Sequence, residues 1–211
     1  MSPKLRFKES GLSKEEWRIL SSLKGPAQIQ DFLNNLAFNF EKEGHRNASV
    51  KEVLNRREAH CFEGALLAAA TLWIKGEKPL ILDLRATKDD SDHVVSLFKR
   101  NGCWGAISKT NHGVLRYREP VYKTIRELAL SYFHEYFLQK DGTKTLRSFS
   151  KPFDLSKHGT SWLNSRENLA WLAYELDQSP HTEILKKGQA KTLRKADLIE
   201  RKMGEIEEWK S

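Results

Sequence analysis

The chain has 211 residues, 30% charged and 39% hydrophobic, with a formal net charge of +8. That length is enough for one domain with a substantial core, and the longest apolar run, residues 65–74, is too short to cross a bilayer. A basic balance suits nucleic acid or an anionic surface, and equally suits a lysine-rich solvated surface, which is the expectation here.

Residues 1–10 are polar and carry no apolar h-region, so no secretory signal is expected and the protein is read as cytoplasmic. Its two cysteines, Cys61 and Cys103, lack a CxxC spacing and are expected to be free thiols. Ser13 suits the N-cap of a first helix that Gly25-Pro26 breaks. A second helix from about Ala27 would place Ile29, Phe32, Leu33, Leu36 and Phe40 on one face, and Ser49 would cap a short third. The stretch from Cys61 to Trp73 is apolar on nearly every side, the mark of a helix at the centre of a core, and Gly76 ends it.

Residues 79–84 and 93–98 read as strands, and Asn101-Gly102 is a two-residue hairpin signal leading into residues 103–108. A long helix is expected from Pro120, with an aromatic stripe through Tyr132, Phe133, Tyr136 and Phe137. Residues 141–164 look irregular, residues 165–176 helical, and the rest a charged helical tail. The expected fold class is α+β, with residues 1–140 as the main domain and residues 141–211 as a helical extension packed on it.

Cys61 would open the buried helix, where unpaired N–H groups and the positive end of the dipole favour a thiolate. His93 is the candidate base, because strand alternation puts it on the same face as Val95 and Leu97, which should pack on that helix. A hairpin at Asn101-Gly102 pairs Arg100 with Cys103 and sets Thr110 opposite His93, with Ser108 as its diagonal neighbour. Asn111 has the better chemistry for orienting an imidazole, and Asp89, Asp90 and Asp92 are acidic alternatives, so the third member stays open. A metal site from Cys61, Cys103, His60, His93 and His112 lacks any short paired spacing. No glycine-rich phosphate loop is present; no metal or cofactor is expected. Glu200, Glu205, Glu207 and Glu208 balance the basic tail, so nucleic acid is not an expected partner.

A cysteine opening a buried helix, then Asp89-Asp90-Ser91-Asp92-His93-Val94, then a hairpin with Trp104 four positions before Ser108, resembles the transglutaminase-like superfamily. That group includes transglutaminases, peptide N-glycanases and bacterial peptidase-like relatives. The likeness covers about residues 27–118 and implies a papain-like core with Cys61 and His93 as its catalytic pair. Members carry aspartate, often followed by proline, where this chain has Ser108-Lys109. By analogy with papain-type enzymes, the Cys61 N–H and an upstream side chain, Asn55, would form the oxyanion site. Glu63 would cap the helix or enter the cleft with Trp104, and His60 would be a loop residue. The implied function is thioester-forming hydrolysis or acyl transfer on a peptide, protein or small amide substrate. The alternative is a non-catalytic binding or scaffold domain of the same fold, which the serine at 108 favours.

Overall fold

The computed structural model describes residues 4–41 and 46–208. Three short helices lead: α1 (Phe7–Ser10), α2 (Lys14–Ser22) and α3 (Pro26–Asn34). At the start of α2, Ser13 Oγ accepts from the Glu16 amide at 3.2 Å while Glu16 accepts from the Ser13 amide at 2.6 Å, a closed capping box. Pro26 takes the first position of α3. That helix stops at Asn34, short of the Phe40 that its apolar spacing suggests. The following residues form strand β1 (Ala37–Phe38), whose pairing takes up the backbone groups a longer helix would have used.

Helix α4 (Val50–Arg56), capped by Ser49, precedes β2 (Glu58–Ala59), which pairs in parallel with β1. Helix α5 (Cys61–Ile74) follows, and every residue after Cys61 in it is buried. Its alanines and leucines are good helix formers, and Gly76, at φ +91°, supplies the left-handed stop. Trp73 stacks on Trp162 with ring centroids 6.3 Å apart, closing the far end.

The sheet begins with β3 (Leu80–Arg85), β4 (His93–Arg100), β5 (Cys103–Ile107) and β6 (Arg118–Tyr122). Asn101 and Gly102 have φ of 50° and 80°, as a type I′ turn needs, and Arg100 pairs with Cys103 in the expected register. Strand β6 replaces the start of the helix expected from Pro120. At the sheet's edge a proline costs no ladder hydrogen bond, and the apolar spacing alone could not reveal the pairing with β5. Only α6 (Ile125–Leu130) and a 3₁₀ turn at Phe133–Glu135 remain of that helix.

The last third differs most from expectation. It contributes β7 (Ser148–Ser150), β8 (Phe153–Asp154), α7 (Ser161–Asn164), α8 (Ala170–Asp177), β9 (His181–Glu183) and α9 (Leu198–Gly204). The strands order as β6-β5-β4-β3-β7-β9 with β8 also on β3, and every pairing in this seven-stranded sheet is antiparallel. The segment therefore extends the sheet rather than adding only helices. The class is α+β. No helix among the described residues is long and apolar enough to cross a membrane.

The sheet is covered on both faces. Ile81, Val94, Phe98 and Ile107 join α5 and the surrounding helices in one core, while Leu82, Val95, Leu97, Tyr132 and Tyr136 build a second. Val95 and Leu97 thus face away from α5, contrary to expectation. With apolar residues on both faces, alternation cannot say which one meets the helix.

Candidate active site

Cys61 is the first residue of α5 and is half-buried. The helix end behind it is held by Glu63, which is 1% exposed. Its carboxylate accepts from the amides of His60 at 2.9 Å and Ala48 at 2.8 Å, and from Asn39 Nδ2 at 3.2 Å. A buried carboxylate survives when hydrogen-bonded in this way, and here it complements the positive end of the dipole. Of the two roles expected for Glu63, the structure shows the cap; it does not line the cleft.

His93 opens β4 and is buried beside Cys61, close enough to favour its thiolate. Its Nε2 lies 2.7 Å from Ser108 Oγ, and Ser108 Oγ is 2.6 Å from the Leu115 carbonyl. A carbonyl can only accept, so the single hydroxyl proton goes to Leu115. Toward His93 the serine can then only accept, which places the imidazole proton on Nε2 and leaves Nδ1 for Cys61. Ser108 fixes the tautomer as an aspartate would, but without a charge.

Gln30 on α3 holds Ser108 in place through its backbone. Gln30 Oε1 accepts from the Ser108 amide at 2.9 Å, and Gln30 Nε2 donates to the Ser108 carbonyl at 2.7 Å. Of the alternatives for the third member, Asn111 and Thr110 lie near the cleft without meeting the ring. Asp92 accepts from the Ala86 amide, and Asp90 from the Thr145 hydroxyl.

His60, expected as a loop residue, is the second imidazole at the thiol. Its Nε2 is 3.0 Å from the Arg46 carbonyl and 3.6 Å from Glu63 Oε1, so that nitrogen donates and Nδ1 is left for Cys61. Burial opposes charge on His60, but the hydrogen bond with Cys61 and the charges of Cys61 and Glu63 outweigh it and push the imidazolium up to about 9. Burial likewise opposes a thiolate, and hydrogen bonds and charge from His60 and His93 overcome it, pulling Cys61 down to about 5. The site holds a thiolate between two imidazoles, one backed by a neutral serine and one by a buried carboxylate.

Cys61 and His93 open into a cleft of about 440 Å³ that Asp92, Asn111, Tyr136 and Phe137 also line. Asn111 is 7% exposed, and its carbonyl accepts from the Glu208 amide. Two expected cleft residues lie elsewhere. Asn55 is exposed on α4, on the turn that faces solvent, so it cannot serve as oxyanion donor. Trp104 sits on β5 opposite Lys99 and Tyr122, with the Lys99 ammonium over its ring at 5.0 Å, outside the cleft. Cys103, at the hairpin, is a free thiol.

Among the described residues, Asp83, Asp92 and Asp177 bring carboxylate oxygens within 4.8 Å of one another. His181 already pairs with Asp83 at 3.0 Å and Arg85 with Asp177 at 2.8 Å, so side-chain partners occupy two of the three carboxylates. No protein-family model matches the chain, and no curated protein matches it.

The sequence alone does not assign His60 or Gln30 the role it holds here. A His immediately before a helix-opening Cys was a visible signal for the first. Nothing local marks Gln30, whose partner lies 78 positions away.

Proposed function

We propose that the protein is a cysteine-dependent amide or peptide hydrolase or acyl transferase, with a core of the transglutaminase-like kind. The observation that carries this reading is the helix-opening Cys61 in contact with His93, whose tautomer is set by Ser108 and Leu115. The Cys61 thiolate attacks a carbonyl carbon. As the C–N bond breaks, the amine takes the Nδ1 proton of the imidazolium that faced the thiolate, and a thioester remains. Water, or an amine, then attacks the thioester and gives its proton to Nδ1, and the thiolate is restored. The Cys61 amide lies in the first turn of α5, where N–H groups have no helical partner, and is suited to the oxyanion.

A second reading, a non-catalytic binding domain, draws on one observation: Ser108 brings no negative charge to an imidazolium at His93. The two readings part in an acylation experiment. Incubation with p-nitrophenyl acetate should place an acetyl group on the Cys61 peptide, seen by mass spectrometry and released by hydroxylamine. Cys61→Ser should abolish it and His93→Ala should slow it. Acetylation of Cys61 no faster than of Cys103 would leave the binding reading in place.

A further inference from the structure

A short strand lies along the rim of the cleft. After α9, residues 206–208 run antiparallel to residues 111–113. The Gly113 amide donates to the Ile206 carbonyl at 2.7 Å, the Glu208 amide donates to the Asn111 carbonyl at 2.6 Å, and His112 bridges to Glu207 between them. Gly204 and Glu207 line the same cleft as Cys61 and His93.

Beneath this strand is Lys109, whose side chain is wholly buried. Its ammonium donates to the Leu36 carbonyl at 2.8 Å and meets the Glu208 carboxylate at 3.3 Å. An ammonium taken out of water needs a counter-charge, and Glu208 supplies it. The strand itself buries little: Ile206 is 59% exposed, and Glu207 is exposed. Segments held by a few polar contacts and little apolar burial open at small free-energy cost.

We propose that this rim is a peptide-binding subsite. It takes an acidic segment in extended conformation by backbone pairing to residues 111–113 and by a carboxylate on Lys109, and the chain's own residues 206–208 occupy it. The backbone pairing accepts many sequences, whereas the buried ammonium selects for an acid. The proposal depends on the thiol-acyl reading only for what Cys61 would then do to the bound chain.

The test supplies the strand in trans. A chain ending at Gly204, its fold checked by circular dichroism, is titrated with a labelled peptide of residues 205–211 and followed by fluorescence anisotropy. Saturable binding is expected, weaker by about tenfold or more for the same peptide carrying Glu208→Lys, and weaker again for the intact chain, whose own strand competes. A folded truncated chain that ignores the peptide, or binds both versions equally, overturns the proposal. Should truncation prevent folding, full-length Glu208→Ala must bind the peptide more tightly than the parent does, and equal affinity is the overturning result. Binding is read without turnover, so peptide uptake beside a Cys61 of ordinary reactivity sinks the thiol reading alone. A reactive Cys61 with no peptide uptake sinks the subsite alone.

Discussion

His60→Ala removes the imidazolium that Glu63 and the Arg46 carbonyl hold against the thiol, while leaving the Glu63 bond to the residue 60 amide intact. Opposite charges about 4 Å apart are worth about 4 kcal/mol at an effective dielectric near 20. At 1.36 kcal/mol per pKa unit, that is about three units. His93 remains, and water entering the vacated space returns part of the loss, so the Cys61 midpoint should rise from about 5 by about two to three units. The assay is the rate of thiol alkylation against pH in a Cys103→Ser background, where Cys61 alone reports. The parent should show a rate that rises through about pH 5 and is flat to about pH 9, where His60 gives up its proton. A parent midpoint at the ordinary thiol value of about 8.5 would refute the thiolate. A variant midpoint within about half a unit of the parent would refute the part given to His60.

Ser108→Ala deletes the acceptor for His93 Nε2–H and leaves the Leu115 carbonyl without its donor. Nitrogen-15 spectra of His93 should change from one tautomer to a mixture, with Cys61 acylation slowed by about tenfold or more. Gln30→Leu leaves two buried backbone groups of Ser108 unpaired and should cost about 2–4 kcal/mol in urea unfolding, with slower acylation as Ser108 moves off the ring. In Gly64→Ala the new Cβ would sit 2.5 Å from Lys109 Cβ, on an enclosed stem that cannot swing aside, and the free energy of urea unfolding should fall by about 1–3 kcal/mol, through a lower midpoint with the slope unchanged. Stability should also depend on pH in a set direction. The lowered Cys61 thiol contributes stability that is lost as pH falls through about 5, and the raised His60 contributes stability present below 6.5 and lost as pH rises through about 9. The two trends offset above 6.5, so the pair's net loss is confined to the fall from about 6.5 to about 5, and His60→Ala should flatten it in thermal melts.

Local chemistry made the central elements legible. Apolar residues on all sides of residues 62–74 left the buried helix no other place, and Asn101-Gly102 set the hairpin register from which Ser108 emerged as a diagonal neighbour of His93. The face of β4 was not legible, because a sheet covered on both sides carries apolar residues in either phase. Strand β6 was hidden by an aromatic stripe whose spacing suits a helix and an edge strand followed by a turn equally well. Ser108 could be reached by register, but the Leu115 carbonyl that makes it an acceptor is set by a loop fold with no sequence signature. Asn55 lies at a suitable distance from Cys61 along the chain, but the helical turn it occupies points it to solvent.

The three bonds into the Glu63 carboxylate tie Asn39, Ala48 and His60 to one buried point. Until those segments have met, that carboxylate has no reason to leave water and His60 has no anion to keep it charged. The thiol of a nascent or partly folded chain is therefore chemically ordinary. The lowered thiol of Cys61 thus depends on Ala48, some thirteen positions earlier in the chain, being docked on Glu63.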